Sequence, residues 1–315
     1  MPVTTSEPLP TLRELGIGRT PLLRLTRWEG LSDSVRLYAK AEWLNPGGSV
    51  KDRPAARMVL AGLASGALRP GGTLLDSTSG NTGIAYAWLG ARLGFKVRLA
   101  VPGSIAPARR RVLLALGANL DESDPLEGSD GAVRRVREIL AAEPGRYYYP
   151  NQYDNPENWK AHFDTTGPEV LEQTGGAVTH FVAGLGTTGT FRGVVMRLKA
   201  ERPGLRAVSV QPDSAFHGLE GLKHLATAIV PGIHDPALAD AQAFIATEEA
   251  QALAREAARR EGLLIGPSGG ANLAAALEVA RGEAAARRPA VIVTIFPDSG
   301  ERYLGEAWWK TRKTR

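Results

Sequence analysis

The sequence predicts an α/β protein with mostly parallel, twisted sheets flanked by helices. Strand-like and helix-like segments alternate along almost the whole chain of 315 residues, which is the order that repeated βα units produce. Glycine-rich stretches follow three of the strand-like segments, at 77–83, 184–190 and 266–271. Because ligands of such sheets bind beyond the carboxyl ends of the strands, these stretches are the candidate site. The length allows two closely packed domains.

In the first half of the chain, a strand is predicted at 35–43, where VRLYAKAEW alternates in polarity. Asp52 is predicted to cap a helix, because apolar residues follow it at helical spacing and Pro54 is tolerated in a first turn. The further predicted elements are a strand at 73–77, a helix at 81–93, a strand at 96–103 that ends in Pro-Gly, a helix that ends at Gly117, a short strand, and a helix through 134–142.

In the second half, a helix is predicted to begin in NPENWKAHF (155–163) and to run to about Gly175. Turn residues are concentrated at 150–158, which predicts a change of domain there. The further predicted elements are a strand at 180–184, a helix at 190–200, and strand-to-loop transitions at 207–212, 263–270 and 290–300.

Composition excludes several classes of function. The chain has no cysteine, so disulfides, thiolate zinc sites and a cysteine nucleophile are excluded. The five histidines show no metal-ligand spacing, and we assign no metal. The net charge of +5 comes from scattered arginines, and the short clusters at 109–111 and 310–315 lack interleaved aromatic residues, so no nucleic-acid partner is expected. The apolar runs are only strand-length and MPVTTSEPLP does not resemble a secretory signal, so we expect no membrane association and a cytoplasmic location.

The stretch STSGNTG (77–83) is predicted to bind an anion such as a carboxylate. A strand ends there, small hydroxyl residues and glycines follow, and a helix begins, so backbone N–H groups and a helix N-terminus face the same place. The structural alternative is a capped turn in which Ser79 or Asn81 satisfies the first helical amides.

The stretch GLGTTGT (184–190) is predicted to bind a phosphate. It matches G-x-G-x-x-G between a strand and a helix, and Asp213 lies a little over twenty residues on, as in dinucleotide-binding proteins. The hydroxyls of its threonines suit a terminal phosphate monoester equally well. The motif alone leaves both ligands open.

Ser268 and Lys51 are interpreted together with these two loops. Ser268, in GPSGGAN (266–272), would alone be interpreted as a helix cap, but here it is a candidate partner for a ring nitrogen. Lys51, in NPGGSVKDR (45–53), does not fit a Walker-type phosphate loop. A lysine between a glycine turn and a helix, in a chain with a separate phosphate loop, suits a Schiff base with an aldehyde cofactor.

Taken together, NPGGSVKDR, TSGNTG, GTTGT and GPSGGA, in this order and spacing, resemble the fold type II (tryptophan synthase β-like) pyridoxal-phosphate enzymes. Within that family the chain is most similar to the cysteine synthases, or O-acetylserine sulfhydrylases. The likeness extends from 18–25 through 151–170 to 296–305. GTTGT and AHFDTTGPEV resemble the B-type branch, whose members tend to accept bulkier substrates or sulfur donors.

The resemblance implies two domains and a dimer. The smaller, mobile domain is expected at 45–155, and the larger one is expected to combine 1–44 with 156–315. Pyridoxal 5'-phosphate is expected in the cleft between them. A homodimer is expected from the family, although the residues themselves reveal no interface.

The resemblance also implies residue roles. Lys51 forms the Schiff base and later removes the α-proton, Asn81 binds the ring hydroxyl of the cofactor, and Ser268 faces its pyridine nitrogen. The cofactor phosphate is expected to be bound by Gly186, Thr187, Thr188, Gly189 and Thr190. The substrate carboxylate is expected to be bound by Thr78, Ser79, Gly80, Thr82 and Gln152.

The implied reaction is a β-replacement that makes L-cysteine from O-acetyl-L-serine or O-phospho-L-serine and sulfide or thiosulfate, through an aminoacrylate. A neutral hydroxyl opposite the ring nitrogen limits carbanion character and favours expulsion of the β-leaving group. Closure of the 77–83 loop would exclude water. Family members that use phosphoserine or thiosulfate tend to carry an arginine at the place of Lys223. We therefore expect Lys223 to meet an anionic group, with a solvated loop lysine as the alternative.

Four other functions are compatible with parts of the sequence. Cystathionine β-synthase uses the same loops, but the chain has neither an N-terminal haem segment nor a C-terminal regulatory extension. A serine or threonine dehydratase fits SGNTG and GTTGT less well. An NAD-binding oxidoreductase would give Lys51 no role, and a non-catalytic regulatory protein would not need Lys51, Asn81, Ser268 and Gln152 intact. No role is predicted for Asp298, and the basic tail WWKTRKTR is expected to be a solvated end.

Overall fold

A computed structural model describes residues 8–78 and 80–309 of the chain. Within these residues the strands are β1 (Leu22–Leu25), β2 (Val35–Ala41), β3 (Thr73–Ser77), β4 (Lys96–Pro102), β5 (Asn119–Ser123), β6 (His180–Gly184), β7 (Arg206–Pro212), β8 (Ala241–Ile245) and β9 (Ala290–Phe296). The α-helices are α1 (Asp52–Ala64), α2 (Asn81–Leu93), α3 (Pro107–Ala115), α4 (Gly128–Ala142), α5 (Pro156–Asp164), α6 (Thr166–Gln173), α7 (Gly189–Glu201), α8 (Thr247–Glu261) and α9 (Pro267–Ala285). None of these helices is long and apolar enough to cross a membrane.

The chain divides into two compact units. The first contains the described residues up to Gly18, Asn45–Ala161 and Pro231–Ile233, and the second contains the rest. The N-terminal residues up to Gly18 thus differ from the expectation, which placed all of 1–44 with the larger domain. Leu15 and Ile17 are buried in the core of the first unit, and the N–H of Gly18 donates to Asn45 Oδ1 at 2.9 Å. Apolar burial therefore holds this segment to the first unit.

The first unit is built on a sheet of three parallel strands in the order β3-β4-β5. Alternate residues of β3 enter two separate cores, as the period of a strand requires. Leu74 is buried with residues of α1 and α2, whereas Leu75 is buried with Val136 and Ile139 of α4. Helices therefore cover both faces of this sheet, and β3 ends at Ser77, before the loop that leads to α2.

The second unit is built on a sheet of six strands in the order β1-β2-β9-β6-β7-β8. Among the described strands of this sheet, β1 and β2 pair antiparallel and the other neighbours pair parallel. All seven residues of β9, AVIVTIF, are buried, which is the unbroken apolar pattern of a parallel strand covered on both faces. Its neighbour β6 ends at Gly184, where the second glycine-rich stretch begins.

The long helix predicted from 155 to about Gly175 is wrong, because the structure contains two helices there. The break lies at Thr165, whose φ and ψ are −126° and −68°. Pro168 supplies the reason: proline has no N–H to donate to the carbonyl four residues earlier, and its ring would clash with that carbonyl in a continuous helix. Pro168 is tolerated in the first turn of α6, so the chain restarts a helix at Thr166.

The strand predicted in LLIGPSGG is also wrong. Ile265 makes a single isolated bridge with Ser299, and α9 begins at Pro267. The reason is again proline, which has no N–H for a ladder and is favoured at the first position of a helix. Ser268 consequently lies in the first turn of α9, and not in a loop before it. Sequence patterns did not predict β1, β8 or α8.

Candidate active site

Lys51 occupies the N-cap position of α1, directly after the glycine turn. The predicted cap by Asp52 is wrong, since Asp52 is the first helical residue. Its carboxylate turns back and accepts the N–H of Gly47 at 2.6 Å. A Cβ at Gly47 would lie 2.4 Å from the same carboxylate. Asp52 therefore fixes the glycine turn, and the turn fixes the position of Lys51.

The loop after β3 is organised around Thr78. The Thr78 hydroxyl oxygen accepts the N–H groups of Gly80 and Gly83, each at 3.0 Å. Asn81, the predicted partner of the cofactor hydroxyl, is the first residue of α2. Ser79, which was predicted to bind the substrate carboxylate, lies outside the described residues. Since Thr78 only accepts in these two bonds, its hydroxyl proton can still be donated to an anion.

Gln152 lies beside this loop, although it is far away in sequence. The Thr82 hydroxyl donates to Gln152 Oε1 at 2.9 Å, and Gln152 Nε2 donates to the carbonyl of Ser77. The carbonyl of Gln152 accepts from Asn158 Nδ2 at 2.6 Å. Thr78, Thr82 and Gln152, three of the predicted carboxylate ligands, are therefore brought together in the first unit. Gln152 Nε2 carries a second N–H that can be offered to a carboxylate.

A carboxylate missed in the sequence lies behind these residues. Asp76, near the end of β3, is fully buried. Its two oxygens accept from Ser77 N, Tyr86 OH and Gln152 N, at 2.8, 2.9 and 3.4 Å. Burial raises the pKa of Asp76 to about 7, against the lowering effect of these three hydrogen bonds. An acid at the end of the apolar strand TLLDS was the signal that could have identified it.

The predicted phosphate loop joins β6 to the N-terminus of α7 in the second unit. A Cβ at Gly186 would lie 2.1 Å from the carbonyl oxygen of Gly221, so only glycine fits there. Thr188 is the N-cap and has a left-handed backbone with φ of 68°. Among the described residues its buried Oγ1 has no hydrogen-bond partner. A buried hydroxyl at the start of a helix of 13 residues is thus left for a ligand.

Thr190 ends this loop and is linked to His162, a residue to which the sequence assigned no role. The Thr190 Oγ1 and His162 Nε2 atoms are 3.2 Å apart. On the other side of the ring, His162 Nδ1 lies 2.9 Å from Thr166 Oγ1. Both His162 and Thr166 are fully buried. The only sequence signal was the position of this histidine in AHFDTTGPEV, which the resemblance covered without explaining it.

Ser268 is buried in the first turn of α9. The N-cap of this helix, Gly266, lies against Asp298, and a Cβ there would be 2.2 Å from the Asp298 carboxylate. Asp298 is fully buried and accepts from the Tyr303 hydroxyl at 2.7 Å. These contacts give Asp298, which had no predicted role, a place in the support of the helix that carries Ser268.

Lys223 is close to the phosphate loop along the backbone. Its N–H donates to the carbonyl of Leu185, one residue before Gly186, at 2.8 Å. The residue is only 6% exposed. The alternative of a solvated loop lysine is therefore wrong, because Lys223 is a buried residue whose backbone is bonded beside the predicted phosphate loop.

The donor set of the second unit fits a phosphate monoester. It combines the N-terminus of α7, the threonine hydroxyls at 187, 188 and 190, and a glycine where the backbone approaches closely. Within 8–78 and 80–309, no group of three or more His, Asp or Glu side chains is arranged to hold a metal ion. The residues thus fit the phosphate end of pyridoxal 5'-phosphate.

Comparison with known proteins gives a consistent result. The profile of the family described as pyridoxal-phosphate dependent enzyme matches residues 13–298. Cysteine synthase from Aquifex aeolicus (strain VF5) is 48% identical over 293 residues, 92% of this chain and 90% of the relative. Cysteine synthase B from Escherichia coli (strain K12) is 38% identical over 291 residues, 92% and 93% of the two chains.

Two further similarities bear on function. The O-acetylserine dependent cystathionine beta-synthase of Bacillus subtilis (strain 168) is 38% identical over 295 residues, 92% of this chain and 94% of the relative. The crystal structure of cysteine synthase (OASS) from Entamoeba histolytica matches with a TM-score of 0.89 and 31% identity, covering 100% of this chain and 95% of that one.

Proposed function

The chain belongs to the pyridoxal-phosphate-dependent enzymes and, among them, to the cysteine synthases, and on this premise we propose that it makes L-cysteine by β-replacement on an O-activated L-serine. The observation that carries the proposal is the phosphate loop, where a buried, unpartnered Thr188 hydroxyl lies at the start of α7 among the described residues. The membership of the family replaces the dinucleotide interpretation of the same glycine motif.

We assign the cofactor contacts as follows. Lys51 would hold the aldehyde carbon and later take the α-proton of the substrate on its Nζ. Asn81 would bind the ring hydroxyl, and Ser268 would offer a neutral hydroxyl to the ring nitrogen. Residues 186–190 would hold the phosphate with backbone amides and threonine hydroxyls. When bound, the cofactor withdraws electrons from the α-carbon of an attached amino acid, which makes loss of the α-proton and of a β-leaving group feasible.

The substrate carboxylate would be bound in the first unit by the loop after β3, with Ser79 and Gly80 among its residues. Gly80 and Gly83 already give their amides to Thr78, and Thr82 gives its proton to Gln152. The donors that support carboxylate binding are therefore the Thr78 hydroxyl and the second N–H of Gln152 Nε2. The bond from Thr82 orients the Gln152 amide so that this N–H is available.

The identity of the leaving group and sulfur donor is a separate proposal. We propose that Lys223 meets an anionic group, either the phosphate of O-phospho-L-serine or thiosulfate. Its burial and its backbone bond beside Gly186 support this assignment. A lysine supplies positive charge but lacks the two-pronged geometry with which arginine selects a phosphate or sulfate group. O-acetyl-L-serine and sulfide would therefore also remain substrates.

The test begins with the spectrum of the purified protein. A chromophore at the edge of the visible range is expected, because a Schiff base on Lys51 absorbs there. Borohydride reduction followed by peptide mass spectrometry should place the cofactor on Lys51, and Lys51→Ala should yield no labelled peptide. A colourless protein, or a label on another lysine, would contradict the proposal.

The products then define the reaction. O-acetyl-L-serine and O-phospho-L-serine are each supplied with sulfide, thiosulfate and homocysteine, and the amino-acid product is identified by mass spectrometry. Cysteine, or S-sulfocysteine with thiosulfate, is expected. Exclusive use of homocysteine would instead establish the cystathionine β-synthase alternative. This alternative is tested because the relative from Bacillus subtilis carries that name.

The oligomeric state and the cellular location are also proposed. We propose a homodimer, on the basis of the family, which light scattering of the purified protein tests directly. A monomer that retains full activity would contradict it. We also propose a cytoplasmic location, which cell fractionation of the source organism would test.

A further inference from the structure

The fully buried ring of His162 joins two hydroxyls that belong to different helices. Nδ1 lies 2.9 Å from Thr166 Oγ1 and Nε2 lies 3.2 Å from Thr190 Oγ1. Thr190 is the last residue of the phosphate loop and the second residue of α7. His162 is thus within hydrogen-bond distance of the Thr190 hydroxyl, which is proposed to bind the phosphate.

The chemistry of the phosphate sets the direction of these hydrogen bonds. A phosphate dianion offers only acceptors, so the single hydroxyl proton of Thr190 must be donated to it. Thr190 Oγ1 can then only accept from His162, which requires a hydrogen on Nε2. In the neutral ring Nδ1 is then an acceptor, and it takes the proton of Thr166.

We propose that His162 is a positioning residue for the cofactor phosphate, which holds the Thr190 hydroxyl toward it through the ordered chain Thr166 to His162 to Thr190. This inference rests on the proposed binding of a phosphate by residues 186–190. In the absence of His162, the hydroxyl of a threonine in the first turn of a helix can donate either to a backbone carbonyl or to the ligand. When Thr190 Oγ1 accepts the hydrogen of His162 Nε2, its own proton is directed to the phosphate.

The break between α5 and α6 makes this arrangement possible. In a continuous helix the Thr166 hydroxyl would compete for the carbonyl of His162, four residues earlier. Because Pro168 forces a new start at Thr166, that hydroxyl meets the ring nitrogen instead. The proline that breaks the predicted helix thereby also places the Thr166 hydroxyl beside His162 Nδ1.

The test uses two matched substitutions of His162. The amide nitrogen of a glutamine can reach the position of Nε2, whereas that of an asparagine reaches only the position of Nδ1. We expect H162N to weaken binding of pyridoxal 5'-phosphate to the apoprotein about tenfold, the effect of losing support for a charge-assisted hydrogen bond, and H162Q to weaken it less. The ³¹P resonance of the bound phosphate should shift in H162N and stay near the wild-type position in H162Q.

A double-mutant cycle with Thr190→Val separates this role from simple packing. If His162 acts through Thr190, H162N has little further effect on cofactor affinity once Thr190 has lost its hydroxyl. Additive losses, or equal affinities and ³¹P positions for wild type and H162N, would overturn the inference. Unfolding of each apoprotein, followed by circular dichroism, identifies variants whose loss of binding is a loss of folding.

The tautomer is read directly by ¹⁵N NMR of histidine-labelled protein, with the His162 signal assigned by its absence from H162Q. A neutral ring protonated at Nε2 is expected, and a ring protonated at Nδ1 alone would refute the proposed order.

Inorganic phosphate titrated into the apoprotein probes the same loop without the cofactor. Phosphate binding that depends on His162 in a protein that forms no chromophore would support this inference and contradict the proposed function. A chromophore on Lys51 with no dependence on His162 would do the reverse.

Discussion

The phenolic hydroxyl of Tyr86 donates to Asp76 Oδ2 at 2.9 Å in a place where both side chains are fully buried. The same oxygen accepts the backbone N–H of Gln152 at 3.4 Å. An ionisable group is thereby built into the support of the proposed carboxylate site. Burial nevertheless dominates, and the pKa of Asp76 rises from 3.8 to about 7.

The raised pKa makes the stability of the protein depend on pH. Below about pH 4 Asp76 is protonated in both the folded and the unfolded state. Between pH 4 and 7 the unfolded chain ionises while the folded one holds its proton, so stability is lost as the pH rises. The whole effect amounts to about 4 kcal/mol.

Asp76→Asn, which cannot ionise, removes this dependence. We expect the free energy of unfolding of wild type, relative to the variant, to fall by about 3 kcal/mol from pH 5 to pH 8. Chemical denaturation at several pH values measures it. Tyr86→Phe is the matched control: it removes a hydrogen bond that lowers the pKa of Asp76, so the loss should extend to higher pH. A difference between wild type and Asp76→Asn that is constant with pH would contradict the assignment.

Thr188 combines a strained backbone with a buried hydroxyl that is proposed to meet the phosphate, and substitution can separate the two effects. At a φ of 68° a residue with a Cβ is strained, so Thr188→Gly should be more stable than Thr188→Ala by about 1 kcal/mol. Both should bind pyridoxal 5'-phosphate about tenfold more weakly than wild type, because the hydroxyl is lost. Unfolding of the apoproteins and cofactor titration measure the two effects.

Thr188→Ser keeps the hydroxyl and is the control, with near wild-type affinity expected. Wild-type affinity in Thr188→Ala would mean that the buried hydroxyl does not meet the phosphate. Equal stability of the alanine and glycine variants would contradict the argument from backbone strain.

Local patterns in the sequence predicted the elements that carry the site, and long-range packing set the rest. The start of α2 and the end of β6 follow from glycines and polarity close to them in sequence. The pairing of Gln152 with Thr82 joins residues 70 positions apart, and no periodicity reports it. His162 and Asp76 were missed for the same reason, since each is defined by partners from other elements.

The errors have a common physical origin in proline. In GPSGG the apolar residues before the proline suggested a continuing strand, and in GPEV the helix predicted from 155 was extended across the proline. Proline instead starts a new helix, at α6 and at α9, because its missing N–H is not needed in a first turn. Asp52 differs: it fits a capping signal, but it is the first helical residue, and its carboxylate accepts the N–H of Gly47 in the preceding glycine turn at 2.6 Å.

Gln152 is expected to act on substrate affinity and not on the cofactor. In Gln152→Glu one oxygen can still accept from Thr82, while the other replaces the donor to Ser77 and to the carboxylate of the substrate. Like-charge repulsion should lower kcat/KM for O-acetyl-L-serine about a hundredfold, mainly through KM. Binding of pyridoxal 5'-phosphate should change less than about twofold.

Gln152→Ala tests the same donor without the added charge and should show a smaller loss in the same direction. Steady-state kinetics and cofactor titration give both quantities. Cofactor affinity that falls together with kcat/KM would show that Gln152 supports the fold of the loop, and the assignment to the carboxylate would fail.

Lys223 decides between acetylated and phosphorylated substrates if its ammonium meets the leaving group. Lys223→Gln removes the charge and keeps a polar side chain that is one bond shorter. We expect kcat/KM for O-phospho-L-serine to fall at least tenfold, the effect of losing a charge-assisted hydrogen bond, while kcat/KM for O-acetyl-L-serine changes less than about twofold.

Lys223→Arg restores the charge with a two-pronged donor, so it should retain or improve the use of O-phospho-L-serine. Because Lys223 is held beside Leu185 by its backbone, the substitution leaves that contact in place. A loss common to both substrates, accompanied by weaker cofactor binding, would place the ammonium at the cofactor phosphate instead.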